Sequence, residues 1–210
     1  MGLAFGNIIA GVDLDQQGNI NESLIDLITP YAVLLGLAAA SMFALHGLLY
    51  LAMKTEGELE QRVRGFVPKA MVLFFTLAML VVISTAFFED EVSDVFLSDV
   101  WPIVFPVSAL IAFAFAWRLF KQGDDFRAFA ASAAMIGLLI VSGGVGMYPN
   151  LLISSQNKDY SLTIDNAASA DNTLTVMLVF AVIGIPLVVL YTSGIYYFFR
   201  GKTELGPDSY

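Results

Sequence analysis

Cysteine is absent from the 210-residue chain, and histidine occurs once, as His46. A chain with no thiol and one imidazole has no donor set of its own for a thiolate zinc, iron–sulfur or blue-copper centre. No metal site of that kind is therefore expected in it, and most redox chemistry is excluded. The missing cysteines do not reveal the redox compartment, because a membrane bundle needs no disulfides. Charge is scarce as well, at 14% of residues against about 25% in ordinary soluble domains. No aspartate or glutamate falls deep inside an apolar run, where a proton-translocating helix places one, so the chain makes a poor pump by itself.

What fills the space is apolar: 58% of residues are hydrophobic and the mean hydropathy is +0.75. The apolar blocks are long enough to cross about 30 Å of hydrocarbon at about 1.5 Å per helical residue. The pattern predicts an all-α polytopic transmembrane helix bundle, a single domain over residues 1–210. Its five spans are expected at about 29–53, 67–88, 101–120, 126–148 and 173–199. Thr29 is placed to cap the first, with Pro30 at the first helical position, where its missing N–H costs nothing. Trp101 and Trp117 mark two interfaces, and Pro186 should kink the last span. Residues 1–12 lack a basic leader and are followed by Asp13 and Asp15, which reads as the stub of a preceding helix rather than a signal peptide.

If five spans alternate, Lys54, Arg62, Arg64, Lys69, Arg118, Lys121, Arg127, Arg200 and Lys202 share one side and only Lys158 lies opposite. The positive-inside rule then makes the 54–66 loop, the 121–126 turn and the carboxy-terminal tail cytoplasmic. The acidic loop 89–100 and the polar loop 149–172 face outward. The latter is rich in Ser, Asn, Asp and Thr, which suits a structured lid and a helix cap near Asn172. The net charge of −9 is read as solvated loops and implies no basic or nucleic-acid partner.

Tyrosines aside, His46 is the ionisable side chain well inside a span. It reads either as a neutral histidine bonded to a neighbouring helix or as a haem ligand, proton relay or quinone contact. Tyr50 lies one turn further on the same face, and Tyr148 is a third residue able to offer a hydrogen bond to a quinone head group. Gly137, Gly143, Gly144 and Gly146 should let helices approach closely. Met42, Met71, Met79, Met135 and Met177 share no spacing and read as core filler. In KTEGELEQRVRG, Glu56, Glu58 and Glu60 are placed to pair with Arg62 and Arg64 on an exposed turn, as a solvated face or as a docking or proton-entry surface.

Several stretches in order carry a family resemblance: GLAFGNIIAGV at 2–12, TPYAVLLGL at 29–37, LHGLLYLAMKTEGELEQRVR at 45–64, GMYPNLLISS at 146–155, YSLTIDNAASADNTL at 160–174 and PLVVLYTSGIYYFFRGK at 186–202. The polar KTEGEL and SLTIDNAAS pieces are the hardest to match by chance. Together they resemble subunit II of the cytochrome bd-type quinol oxidases, and the match is nearly full-length. The resemblance implies a non-haem subunit in the bacterial inner membrane that is not the catalytic half of its complex, so no catalytic residue is expected in this chain. Its partner is a haem-bearing subunit I that holds haems b and d and oxidises quinol while reducing dioxygen. No cofactor is then expected in this chain beyond a bound quinone or lipid. Family members are longer, and their amino-terminal helices carry acidic motifs of the TDGFD and HWDGNQVW kind that do not occur here. The chain is accordingly expected to hold about the last five of nine helices, as a split or truncated form without the family's proton-path residues. The competing class is a small membrane transporter or channel component, which would need a polar pathway or a broken helix at the midplane.

Overall fold

The computed structural model describes residues 1–199; Arg200 and Lys202, used above for orientation, lie outside them. Seven α-helices and one short hairpin make up the described part. They are α1 Gly2–Ala10, α2 Pro30–Lys54, α3 Gly57–Phe88, α4 Asp90–Ser98, α5 Val104–Lys121, α6 Asp125–Met147 and α7 Asp171–Phe198. The strands β1 Asn150–Leu152 and β2 Leu162–Thr163 pair antiparallel. Helices α2, α3, α5, α6 and α7 are each long and apolar enough to cross a membrane.

Local chemistry sets these ends. Thr29 Oγ1 accepts the Ala32 N–H at 3.1 Å and Pro30 opens α2, as expected. Asp124 caps α6 by accepting the Arg127 N–H. Gly123, at φ +80°, supplies the left-handed residue that lets α5 turn straight into α6. Three expectations fail. The 54–66 loop is two residues of linker: α3 begins at Gly57, because GELEQRVRGF has helical spacing and i,i+4 charge pairs that carry the helix ten residues before the apolar run. The acidic loop 89–100 contains α4, whose Val92 is buried against the bundle. The last helix opens at Asp171 with no side-chain cap, so Asn172 lies within it and does not cap it.

Helix α2 is central and touches α1, α3 and α6, while α5 packs along α6. One core joins Leu45, Leu49, Val67, Met71, Phe74, Phe113, Ala128 and Met135 from these four long helices. Met71 and Met135 are core filler as expected, whereas Met177 is exposed. The α1–α2 crossing rests on small residues. A Cβ added to Gly2 would lie 2.7 Å from Gly36 Cα, and one added to Gly6 would lie 2.5 Å from Ala32 Cα. Gly2 and Gly6 thus face Ala32 and Gly36 at matched four-residue spacing, the close-approach arrangement of membrane helices. Of the four glycines singled out on α6, Gly143 receives Phe5 of α1 and Gly146 receives Phe96 and Val92 of α4, but Gly137 and Gly144 face open space among the described residues. A Cβ at either would meet nothing within 4 Å, so among the described residues neither serves a close helix approach.

At one end of the bundle a cap forms from residues 11–29, α4 and the hairpin. Val12 pairs with Ile153 and Ser155 through its backbone, Gln156 donates to Asp13 at 2.7 Å, and Lys158 pairs with Glu91 at 3.2 Å. The polar loop after α6 is therefore folded. At the other end lie the 55–56 and 122–124 turns, and Lys54 Nζ donates to the Phe199 carbonyl at 2.7 Å. The basic residues of the described chain gather at this second end, with Lys158 at the first.

Candidate functional site

The polar centre of the bundle is built on α2 and α6. His46 lies eight residues before Lys54, about 12 Å along the axis from it, and its Nδ1 is 2.7 Å from the Ser132 hydroxyl. Ser132 is fully buried and directs its own proton to the Phe129 carbonyl at 2.7 Å. A hydroxyl has one proton to give: with it on the Phe129 carbonyl, His46 Nδ1 donates to Ser132 and Nε2 holds the lone pair. Phe129 stacks on the imidazole at 4.5 Å between centroids and meets the Tyr50 ring at 5.6 Å. The group can do two things. It ties α2 to α6 inside hydrocarbon, and it leaves one imidazole nitrogen and one phenol able to meet a polar group from outside.

Of the three residues singled out as polar-pocket candidates, His46 and Tyr50 come together. Tyr148 follows α6 at the capped end, sixteen residues beyond Ser132 and about 24 Å from it along the axis, so it belongs to a different surface. Sequence reasoning missed Ser132 and Phe129. The available signal was a serine in the apolar run FRAFAASAAM, a residue type that bonds across membrane helices.

A second polar cluster sits at the basic end. Arg64 makes a two-pronged contact with Asp125, at 2.9 and 2.7 Å. It also lies 3.5 Å from Glu60 and 4.9 Å above the Phe120 ring. This half-buried clamp joins the starts of α3 and α6. The Arg62–Glu58 pair, at 3.6 Å and one turn apart on α3, is exposed. At the capped end a cleft of about 280 Å³ is lined by Glu89, Glu91, Ser154 and Lys158 among others. Burial, reinforced by Asp90, holds the Glu89 carboxyl above the ordinary range, whereas hydrogen bonds from Asn19 hold Asp15 below it. Among the described residues no three His, Cys, Asp or Glu side chains gather as a metal site. Nor does a transporter's broken helix occur there: α6 runs unbroken through its glycines and α7 through Pro186.

The chain matches the family model described as cytochrome bd terminal oxidase subunit II over residues 1–199. It is 27% identical to the cytochrome bd ubiquinol oxidase subunit 2 of Bacillus subtilis, over 97% of this chain and 60% of that protein. It is 26% identical to a probable cytochrome oxidase subunit 2 of Haemophilus influenzae, over 97% and 61% respectively. To the cytochrome bd-I ubiquinol oxidase subunit 2 of Escherichia coli K12 it is 28% identical, over 96% and 61%. The chain thus spans about 60% of the length of the curated relatives it matches. Five helices among the described residues are of membrane length, and by the match over residues 1–199 the chain belongs to the cytochrome bd terminal oxidase subunit II family.

Proposed function

We propose that this chain serves as the non-haem subunit II of a bd-type quinol:oxygen oxidoreductase in the bacterial inner membrane, where it packs against and supports a haem-bearing subunit I. The observation that carries this reading is the family match over the whole described chain, set beside the chemistry of the one histidine. His46 ties two helices together through Ser132, and no other imidazole or thiol is present. Haems b and d accordingly reside in subunit I, and this chain takes no direct part in electron transfer. The basic end, with the 55–56 and 122–124 turns, faces the cytoplasm, and the capped end faces outward. A bound quinone or lipid would find its polar contact at His46 Nε2 and the Tyr50 phenol, with Phe129 as the flat surface between them; Tyr148 offers a separate contact at the capped end.

The test is an affinity pull-down of the chain from its native membrane in mild detergent, followed by a reduced-minus-oxidised spectrum. Haem b and d bands, with a second, haem-bearing subunit, are expected. A haem-free eluate from membranes that contain the oxidase would overturn the assignment.

A further inference from the structure

The cations at the basic end are not alike. Arg62 pairs with Glu58, Arg64 with Asp125 and Glu60, and Arg127 with Asp124. Arg118 and Lys121, in the last turn of α5, make no ion pair among the described residues. Both are exposed. Lys121 Nζ instead rests 5.0 Å above the Trp117 ring, an amphipathic side chain of the kind that settles at head-group depth. An exposed apolar lane leads away from this pair along the same helix: Phe115, Ile111, Val107 and Val104 recur at three- and four-residue spacing. From Arg118 to Val104 the lane runs fourteen residues, about 21 Å, which exceeds half of a hydrocarbon core about 30 Å thick. Two uncompensated positive charges thus sit at the head-group end of an apolar track, with a tryptophan beside them.

We propose that this face of α5 binds one anionic phospholipid. Arg118 and Lys121 hold its phosphodiester, Trp117 borders the glycerol level, and Phe115, Ile111 and Val107 lie along an acyl chain. Charge complementarity selects the head group: a zwitterionic lipid brings its own cation and gains little from the pair, whereas an anionic one neutralises it. The inference rests on α5 crossing the membrane and is independent of the oxidase assignment.

The test uses the full chain in nanodiscs of equal phosphatidylglycerol and phosphatidylcholine, with the lipids retained on release identified by native mass spectrometry. Wild-type chain should retain phosphatidylglycerol preferentially. The Arg118→Gln/Lys121→Gln chain should lose that preference by about fivefold per cation removed, and Arg62→Gln/Arg127→Gln, whose cations are already paired, should keep it. Helicity by circular dichroism should be equal in all three. Three results would each overturn the proposal: an unchanged preference in the first variant, an equal loss in the second, or displacement of the lipid by excess inorganic phosphate. Retained lipid with loss of a co-purifying subunit in the first variant would also overturn it, because the face would then be a protein contact. Should the first variant not fold, Trp117 fluorescence in a Trp101→Phe chain decides. Stronger quenching by brominated phosphatidylglycerol than by brominated phosphatidylcholine is expected, and equal quenching contradicts the site.

Discussion

Helices α2 and α7 are both strongly apolar, with mean hydropathies of 2.0 and 2.7 over their most apolar stretches, yet 39% of that stretch is buried in α2 and none in α7. Hydropathy therefore ranks the two in the opposite order from packing. Lipid tails are as apolar as leucine, so membrane helices adhere where small residues bring backbones together or polar groups bond across, and apolar bulk alone does not hold them. Helix α2 has both devices: Ala32 and Gly36 against α1, and His46 against Ser132. Helix α7 is bulky Val, Leu, Ile and Tyr around its circumference. Its glycines Gly184 and Gly194 face open space among the described residues, and at its carboxy end Lys54 of α2 donates to the Phe199 carbonyl.

The largest expected effect comes from breaking the α1–α2 crossing. Gly6→Leu would drive a side chain into the Ala32 backbone and should cost about 3 kcal/mol or abolish accumulation of the chain. Gly184→Leu on α7 should change stability by less than about 0.5 kcal/mol. Thermal unfolding in detergent separates the two, and equal effects would remove the contrast.

The Arg64 clamp comes next. Its side chain and that of Asp125 are 29% and 15% exposed, between the surface and buried regimes, so Arg64→Ala should cost about 2 kcal/mol. Arg62→Ala, which breaks a fully exposed pair, should cost almost nothing by the same assay. Ser132→Ala removes the partner of His46 and should cost about 1 kcal/mol. In a double-mutant cycle with His46→Ala the two losses should fail to add, and full additivity would show that the hydrogen bond contributes nothing.

The smallest effect distinguishes the capped end. Glu89 holds its proton more tightly folded than unfolded, so its contribution to stability is greatest at acid pH and falls as pH rises above the ordinary carboxylate value. Glu89→Gln should therefore be neutral at low pH and slightly stabilising at neutral pH, which paired melting curves at the two pH values would check. A loss of stability at neutral pH would mean that the ionised carboxylate has a stabilising partner.

Much of the architecture was legible in the sequence because length, hydropathy and caps are local properties: Thr29 and Pro30 open α2 where expected. What escaped notice was relational. Gly2 and Gly6 look unremarkable until the chain folds back and sets Ala32 and Gly36 against them. Asp125 reads as a residue of the first turn of a helix, and only tertiary structure brings Arg64 to it from 61 residues away. The start of α3 is hidden because its first ten residues are rich in charge, although the i,i+4 spacing of Glu58 with Arg62 and of Glu60 with Arg64 is helical. His46 was visible as the one interior ionisable group, but its partner lies 86 residues on.

The proposal that this chain supports a haem-bearing partner without binding haem is tested most directly by the reduced-minus-oxidised spectrum of the complex purified with His46→Ala in this chain. The account predicts haem b and d bands per complex equal to wild type, with at most a lower yield of assembled complex. Loss of one haem band at unchanged subunit stoichiometry would contradict it and make His46 a ligand.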